Sequence, residues 1–276
     1  GQRNLFVPGS APEVSRPWSV FAPRLISLPD GRTVVDTAFT RLTGRSPMLL
    51  AGMTPTTVDP AIVAAAANAG HWAELAGGGQ VTEEIFDGNI ARLEELLDAG
   101  RQVQFNSLFL DPYLWKLQLG GKKLVQKARA KGAPFDGVII TAGIPELDEA
   151  VDLVHEFTEA GLHYVAFKPG TVDQIRQVVR IALQVPHFPV IVQVEGGRAG
   201  GHHSWEDLDD LLLATYAELR DRPNVVLCVG GGIGTPERAS EYLTGTWAAG
   251  YGYPLMPLDG ILVGTAAMAT LEATTA

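Results

Sequence analysis

The chain has 276 residues, of which 46% are hydrophobic and 19% charged, the composition of an ordinary globular protein. Its 31 acidic and 21 basic residues give a net charge of −10, which argues against a nucleic-acid surface because such surfaces need clustered cations. Cys228 is the only cysteine. The sequence therefore allows no intramolecular disulfide and no thiolate metal cluster, and a reducing, cytoplasmic compartment is expected.

No stretch of the sequence is apolar over the ~18 residues that a membrane span requires, and the start has no signal-peptide pattern. We therefore expect neither a membrane nor a nucleic-acid partner. The first residue is Gly1 rather than Met, so the chain is expected to be a processed protein or a piece of a longer one.

The first 46 residues differ in character from the rest. Five prolines fall at short intervals between Pro8 and Pro29, and this spacing leaves no helical period. We interpret residues 1–46 as a lead-in or linker, with a short hairpin around Asp30-Gly31. The remaining residues, 47–276, are predicted to form one domain.

In that domain, short Val/Ile/Leu-rich runs alternate with longer amphipathic segments. Eight such runs begin between 24 and 36 residues apart, which fits one strand and one crossover helix per unit. They are residues 48–53, 72–78, 102–108, 136–143, 162–170, 189–197, 225–232 and 259–265. Because the runs are apolar on both faces, they favour a parallel sheet covered by helices. Eight units predict a closed (β/α)8 TIM barrel, with an open doubly wound sheet as the alternative.

The helices have recognisable beginnings. Asp59-Pro60 and Thr235-Pro236 each supply an N-cap followed by a first-turn proline. Thr171 with Gln174, and Ser204 with Asp207, have capping-box spacing. The acidic residues 206–210 are expected in the first turn of a helix, where carboxylates complement the dipole. After the eighth strand, residues 266–276 suffice for one short helix.

Active sites of such barrels lie at the carboxyl ends of the strands, and here those ends are rich in glycine. The runs Gly230–Gly234 and Gly264-Thr265 follow the last two strands. Backbone N–H groups and helix N-termini at such turns collect anions, so these two loops predict a phosphate site. No GxGxxG motif indicates a dinucleotide fold, because Thr235 interrupts the spacing.

A second candidate site follows the sixth strand. His202 and His203 come directly after Gly200-Gly201, so an imidazole suited to proton transfer is carried on a loop with little side-chain bulk. A zinc site is disfavoured because no further His or Cys stands at chelating spacing. The alternative is that these histidines only cap the helix beginning at Ser204.

Polar residues also end other strands. Lys168 closes an apolar run, which indicates an anionic partner or an electron-rich ring, or else a lysine that merely reaches the rim. Gln104 and Asn106 alternate on the third strand and are expected to hydrogen-bond a heterocycle or each other. Glu195 and Arg198 are interpreted as solvated loop charges.

Five segments together resemble the flavin-dependent enoyl reductase domain of microbial type I fatty acid synthases. They are residues 50–79, 165–172, 195–207, 230–235 and 259–268. The resemblance runs from about Arg45 to the end, and the barrel and the Gly-Gly-His turn are also similar to stand-alone flavin enoyl reductases and to nitronate monooxygenases. The doubled histidine, and Ser204 where those proteins tend to carry glycine, are points at which this sequence departs from them.

The resemblance implies a (β/α)8 barrel that binds FMN and uses NADPH or NADH as co-substrate. It implies that Ala51, Gly52, Met53 and Thr54 pass against the isoalloxazine, and that Asn106 and Lys168 contact its polar edge. It assigns the FMN phosphate to Gly230, Gly231, Gly232, Gly264 and Thr265. Gly200 and Gly201 belong to the same site, and His202 matches the position of the family's catalytic histidine.

The reaction that the resemblance implies is reduction of a trans-2-enoyl thioester carried on an acyl carrier protein domain. Other fatty acid synthase domains, in a large homo-oligomer, are the implied partners. Two alternatives remain at this point: a flavoenzyme that oxidises nitronates, and a structural or carrier-docking module with a vestigial flavin site.

Overall fold

The computed structural model describes residues 17–197 and 206–269, and its centre is a closed barrel of eight parallel strands. The strands are β1 (Arg24–Ser27), β2 (Thr33–Asp36), β3 (Met48–Leu50), β4 (Trp72–Ala76), β5 (Val103–Leu108), β6 (Phe135–Thr141), β7 (Tyr164–Phe167), β8 (Val190–Glu195), β9 (Val225–Gly230) and β10 (Gly260–Val263). Strands β3 to β10 follow one another around the barrel, and β10 pairs with β3 to close it. Each of the eight predicted runs supplies one strand, so the predicted (β/α)8 barrel is confirmed.

Helices cover the outside of the barrel. Those of the described residues are α1 (Ala38–Thr43), α2 (Pro60–Asn68), α3 (Glu83–Leu96), α4 (Pro112–Trp115), α5 (Leu124–Ala130), α6 (Leu147–Ala160), α7 (Val172–Gln184), α8 (Leu208–Arg220) and α9 (Pro236–Thr244). Residues 265–269 are also helical. In the described part of the chain, none of the helices has the length and apolar character needed to span a bilayer.

Two of the predicted caps hold as expected. The Asp59 carboxylate accepts the N–H of Ala61 at 2.9 Å, and the Thr235 hydroxyl accepts the N–H of Arg238 at 3.2 Å. These bonds satisfy donors that a helix leaves open at its first turn. Each cap fixes the residue at which the helix on the outside of the barrel begins.

The other two predicted caps are corrected by the structure. Thr171 accepts the N–H of Gln174 as predicted, but the Gln174 side chain accepts the N–H of Gly170 at 2.9 Å, so the capping box is incomplete. Helix α8 begins at Leu208 with Asp207 as its N-cap, three residues later than the predicted capping box implies, and Ser204 itself lies outside the described residues. Of the acidic run, Asp209 and Asp210 occupy the first turn of α8, as expected.

The barrel interior is apolar toward the amino ends of its strands. Leu49, Trp72, Ile139 and Ile191 form a buried cluster that is separate from the larger core between strands and helices. Because side chains alternate between the two faces of a strand, the next inward-facing positions lie nearer the carboxyl ends of the strands. Those positions carry the polar residues of the site.

Residues 17–46 were predicted to contain a hairpin and no helix. Strands β1 and β2 form the antiparallel hairpin around Asp30-Gly31, which is confirmed. Helix α1 is a finding that the proline spacing did not predict, and it forms because no proline lies between Pro29 and Pro47. It places the fully buried Phe39 against Trp72, with ring centroids 5.7 Å apart, and so fills the amino-terminal end of the barrel. The domain boundary at residues 46 and 47 stays a prediction.

Candidate functional site

A cavity of about 310 Å³ opens at the carboxyl ends of the barrel strands, where active sites of this fold lie. Eight of the predicted site residues line it together: Ala51, Gly52, Met53, Lys168, Gly230, Gly231, Gly232 and Gly264. Residues from four different strand ends thus meet at one place, although they are spread over more than 200 positions of the sequence.

The loop after β9 forms one wall of the cavity. Gly231 and Gly232 have φ values of +116° and +76°, a region that side-chain-bearing residues rarely occupy. Within the part of the chain that the structure describes, the N–H groups of Gly232, Ile233 and Gly234 find no hydrogen-bond acceptor. Three backbone donors are therefore available to a ligand, directly before the N-terminus of α9.

The loop after β10 lies beside it. A Cβ placed on Gly264 would meet nothing closer than the Met53 sulfur at 4.0 Å, so the backbone borders open space. Thr265 begins the helical residues that follow. It is half-buried and does not line the cavity with Gly264. Two strand-to-helix turns with positive dipole ends thus bound the same cavity.

The segment after β3 forms the wall next to the loop after β10, because β3 pairs with β10 in the barrel, and its shape depends on bonds within the chain. Ala51 donates its N–H to the Val263 carbonyl at 3.2 Å, Gly52 donates to Glu74 at 3.0 Å, and Met53 donates to the Thr57 hydroxyl at 2.7 Å. These N–H groups are occupied, and the Met53 carbonyl accepts the Thr57 N–H at 2.8 Å, so residues 51–53 offer a ligand contact surface rather than N–H donors. Thr54 is exposed next to them.

Lys168 lies at the base of the cavity and is almost completely buried. Its ammonium donates to Glu74 Oε1 at 2.9 Å, and Glu195 Oε1 is 3.8 Å away. The Lys168 side chain is 2% exposed and that of Glu74 is 0% exposed. The anionic partner that the sequence indicated for Lys168 is therefore, at least in part, a carboxylate of the chain itself.

Burial and charge act in opposite directions on this pair. Burial lowers the pKa of Lys168, but the carboxylates of Glu74 and Glu195 outweigh it, so the net shift is upward. Burial likewise raises the pKa of Glu74, yet the Lys168 ammonium and the Gly52 N–H hold the net pKa below its ordinary value. Both groups are therefore charged at neutral pH.

The structure places Asn106 and Gln104 differently from the expectation. They do not bond each other: Asn106 donates to Glu74 at 3.1 Å, and Gln104 accepts the Ala73 N–H at 2.8 Å and donates to Asp136 at 2.7 Å. Asn106 does not line the cavity. It packs directly behind Gly52, where a Cβ would come within 2.8 Å of its amide nitrogen.

Glu195 was interpreted as a solvated loop charge, and this interpretation is wrong. It is the last residue of β8, its side chain is 13% exposed, and it lines the cavity beside Lys168. The alternation along β8 explains the difference, because Ile191 and Glu195 are four residues apart and face the same side. His202, Gly200 and Gly201, with His203, Ser204 and Arg198, lie outside the described residues.

Two residues of the site were missed by sequence reasoning. Glu74 is a carboxylate inside the apolar run 72–76, and Thr141 ends β6 in the cavity wall. A charge in the middle of a fully buried strand was the available signal for Glu74, because buried carboxylates occur almost only with partners. Thr141 lies in the strand-end segment Thr141-Ala142-Gly143, where nothing distinguished it from the small polar residues at the other strand ends.

Fold and site together define a (β/α)8 barrel protein with a glycine-walled, lysine-based cavity at the carboxyl ends of its strands. A family model described as fatty acid synthase subunit beta/Fas1-like, helical, matches residues 189–276. The chain is 41% identical over 255 residues to fatty acid synthase beta subunit aflB of Emericella nidulans, and 43% identical over 262 residues to fatty acid synthase 2 of Mycosarcoma maydis. These matches cover 92% and 95% of this chain.

The chain is thus similar to one segment of these fatty acid synthases. It spans only 12% of the length of the aflB protein and 7% of that of fatty acid synthase 2. Among solved structures, a nitroalkane oxidase from Streptomyces ansochromogenes superimposes with a TM-score of 0.56 at 22% identity, covering 84% of this chain and 68% of that one. That likeness supports the barrel fold.

Proposed function

We propose that this chain is an FMN-dependent enoyl reductase that acts in fatty acid synthesis. The observation that carries the proposal is the meeting of the two glycine loops, after β9 and β10, with Lys168 around one cavity. The similarity to a segment of these fatty acid synthases supports the metabolic context. The sequence resemblance to the flavin reductase domain supplies the particular reaction.

The residues present fit FMN on chemical grounds. The loop 231–234 has backbone donors without acceptors in the described part of the chain, as a phosphate requires. Gly264 leaves open space beside it. Of residues 51–53, only Met53 has a large side chain, so this wall can lie against a flat ring. Lys168 provides a positive charge at the base of the cavity. When bound there, FMN supplies hydride transfer between a nicotinamide and the β-carbon of an enoyl thioester.

The chain's own groups would bind the cofactor, orient its ring and protonate the substrate. The loops after β9 and β10 hold the phosphate, and Lys168 places a positive charge at the base of the cavity, where an electron-rich ring edge would be stabilised. His202, on the glycine-rich segment after β8, is proposed to deliver the proton to the α-carbon. General acid catalysis of this kind contributes about 10²–10⁴-fold to the rate.

The substrates and partners belong to the same proposal. NADPH or NADH provides the electrons, and the enoyl group arrives on an acyl carrier protein domain. Other fatty acid synthase domains are the proposed neighbours in a larger assembly, since the relatives are several times longer than this chain.

The test combines a spectrum with a reaction. The purified protein, with FMN added, is expected to retain flavin absorbance, which NADPH or NADH bleaches without air and crotonyl thioester then restores. A protein that stays colourless with added FMN would support the vestigial module instead. If the isolated chain binds FMN poorly, the same measurement on the longer natural polypeptide decides between the two.

Oxidation of a nitronate is the second candidate, because the nitroalkane oxidase shares the barrel fold. Nitronate oxidation by a flavin uses oxygen as the electron acceptor, whereas the enoyl reductase reaction passes electrons to the enoyl thioester and needs no oxygen. Anaerobic reduction of crotonyl thioester without turnover of propyl-2-nitronate in air supports the reductase. The reverse pattern supports the oxidase.

A further inference from the structure

Glu74 receives hydrogen bonds from an unusually large set of donors. Its Oε1 accepts the Gly52 N–H, the Asn106 amide and the Lys168 ammonium at 3.0, 3.1 and 2.9 Å. Its Oε2 accepts the Trp72 indole N–H at 2.8 Å and the Gln193 amide at 2.9 Å. Five donors from five different strands or strand ends thus converge on one carboxylate that is fully buried.

Two of those donors belong to the cavity wall. Gly52 contributes its backbone to one side of the cavity and Lys168 forms its base, and both bind the same oxygen of Glu74. The position of Lys168 relative to residues 51–53 is therefore set through a single atom. A carboxylate at this point fixes geometry and charge together, which an amide at the same point would not do.

The Lys168 ammonium has more N–H donors than there are acceptors at hydrogen-bond distance among the described residues. One of its three N–H groups is bonded to Glu74, and Glu195 at 3.8 Å lies beyond normal hydrogen-bond length. Among the described residues, two N–H groups thus have no acceptor at bonding distance, although the side chain is 2% exposed. A buried donor of this kind is costly unless a ligand atom satisfies it.

Resting on the function proposed above, we infer that Glu74 is a positioning residue of the cavity: it keeps Lys168 protonated and fixed so that a free N–H donates to an electron-rich atom of the bound ring. Glu74 itself does not line the cavity. Its effect on the ligand passes through Lys168.

The first arm of the test uses the protein without FMN. The Lys168 side-chain resonances, assigned by comparison with Lys168→Met, are followed by NMR between about pH 6 and pH 10. We expect the wild-type ammonium to stay protonated over this range and that of Glu74→Gln to titrate within it, because burial then acts with only the more distant Glu195 to oppose it. Asp259→Asn is the matched control: Asp259 forms an equally buried ion pair with Arg220 at 2.9 Å, away from the cavity.

The second arm measures FMN affinity by fluorescence quenching over the same pH range. We expect wild type and Asp259→Asn to bind with little pH dependence. Glu74→Gln should bind at least 10-fold more weakly, with affinity falling further as the pH rises through its Lys168 titration. The double variant Glu74→Gln/Lys168→Met should bind like Lys168→Met alone, since Glu74 acts through the lysine.

The two arms separate the inference from the proposed function. If wild type does not bind FMN, the proposed function fails, and the first arm still decides whether Glu74 holds Lys168 charged. If Lys168 titrates identically in wild type and Glu74→Gln, or if Glu74→Gln binds FMN as wild type does, the inference is overturned. Should Glu74→Gln not fold, Glu74→Asp replaces it. That variant is expected to keep Lys168 protonated but to weaken FMN binding by displacing it, and unchanged FMN affinity in Glu74→Asp would overturn the inference.

Discussion

Removing one partner of the Lys168–Glu74 pair should lower the free energy of unfolding because it leaves the other partner as an uncompensated buried charge. Removing the second partner as well should add little or no further loss. At 2.9 Å, two unit charges attract by about 6 kcal/mol at an effective dielectric constant of about 20. Much of this is offset by the desolvation of both ions, so the useful quantity is the loss on breaking the pair, about 3–5 kcal/mol. Lys168→Met should fall at the lower end, because Glu74 keeps four other donors.

Glu74→Gln should fall at the upper end of the same range. It leaves the Lys168 ammonium with only the distant Glu195, and its new NH2 group faces donors that it cannot accept from. The double variant should be no less stable than Glu74→Gln, so that the double-mutant cycle yields a coupling of at least about 3 kcal/mol, the loss expected for Lys168→Met alone. Urea unfolding followed by tryptophan fluorescence and circular dichroism measures all three losses.

The same substitution at an exposed pair provides the control. Lys122 bonds Glu83 on the surface, with side chains 52% and 49% exposed, so Lys122→Met should cost less than about 1 kcal/mol. Losses from Lys168→Met and Glu74→Gln that simply add in the double variant would refute the argument that the pair is energetically coupled. So would a Lys168→Met loss as small as that of Lys122→Met.

The remaining predictions concern pH, phosphate and proton. Because the pKa of Glu74 is lowered and that of Lys168 is raised, the pair should contribute its full share of the unfolding free energy between about pH 4.5 and 10.5. That contribution should decline as the pH falls below 4.5, where Glu74 becomes protonated, and as it rises above 10.5, where Lys168 loses its proton. Both declines should be smaller in the double variant. Gly232→Asp should abolish FMN retention by placing a carboxylate at the phosphate loop, whereas Gly252→Asp, at a similar φ of +78° in open space away from the cavity, should keep it; equal flavin content in both would refute the phosphate assignment. His202→Ala should leave flavin reduction by nicotinamide intact and slow enoyl reduction by about 10²–10⁴-fold in stopped flow, with His203→Ala milder; the opposite ranking would show that His202 is not the proton donor.

The fold could be predicted from the sequence because its signals are local. An apolar run such as 225–229 and a cap such as Asp59-Pro60 each identify an element from a few neighbouring residues, and eight similar units leave few architectures to choose from. Helix α8 begins after Asp207, whose side chain makes no capping bond, so the Ser204–Asp207 spacing did not locate the start of this helix. Helix α1 has local signals in the Thr37–Thr40 capping box and the left-handed Gly44 that ends it, but its six residues are too few for a helical period to show beside the proline-rich stretch.

The candidate site could be predicted only in part, and the reason is distance along the chain. Glycines at strand ends mark the walls of the cavity, and Lys168 stood out as a charge in an apolar run. The partner of Lys168 lies 94 residues away, and nothing near Glu74 in the sequence tells which of the other strand ends it faces. The same holds for Asn106, because the barrel register sets Gln104 rather than Asn106 beside Glu74, and only the side-chain packing shows that Asn106 bonds Glu74.

The filled amino-terminal end of the barrel has a kinetic consequence. Phe39 and the apolar cluster packed on it close the amino-terminal end of the described part of the barrel. Molecules therefore reach the cavity from the carboxyl-end face. Under the proposed function, a nicotinamide and a carrier-bound enoyl chain would have to approach the same ring through the same entrance. They would then occupy it in turn rather than together, and initial-rate plots against one substrate at several levels of the other should be parallel lines.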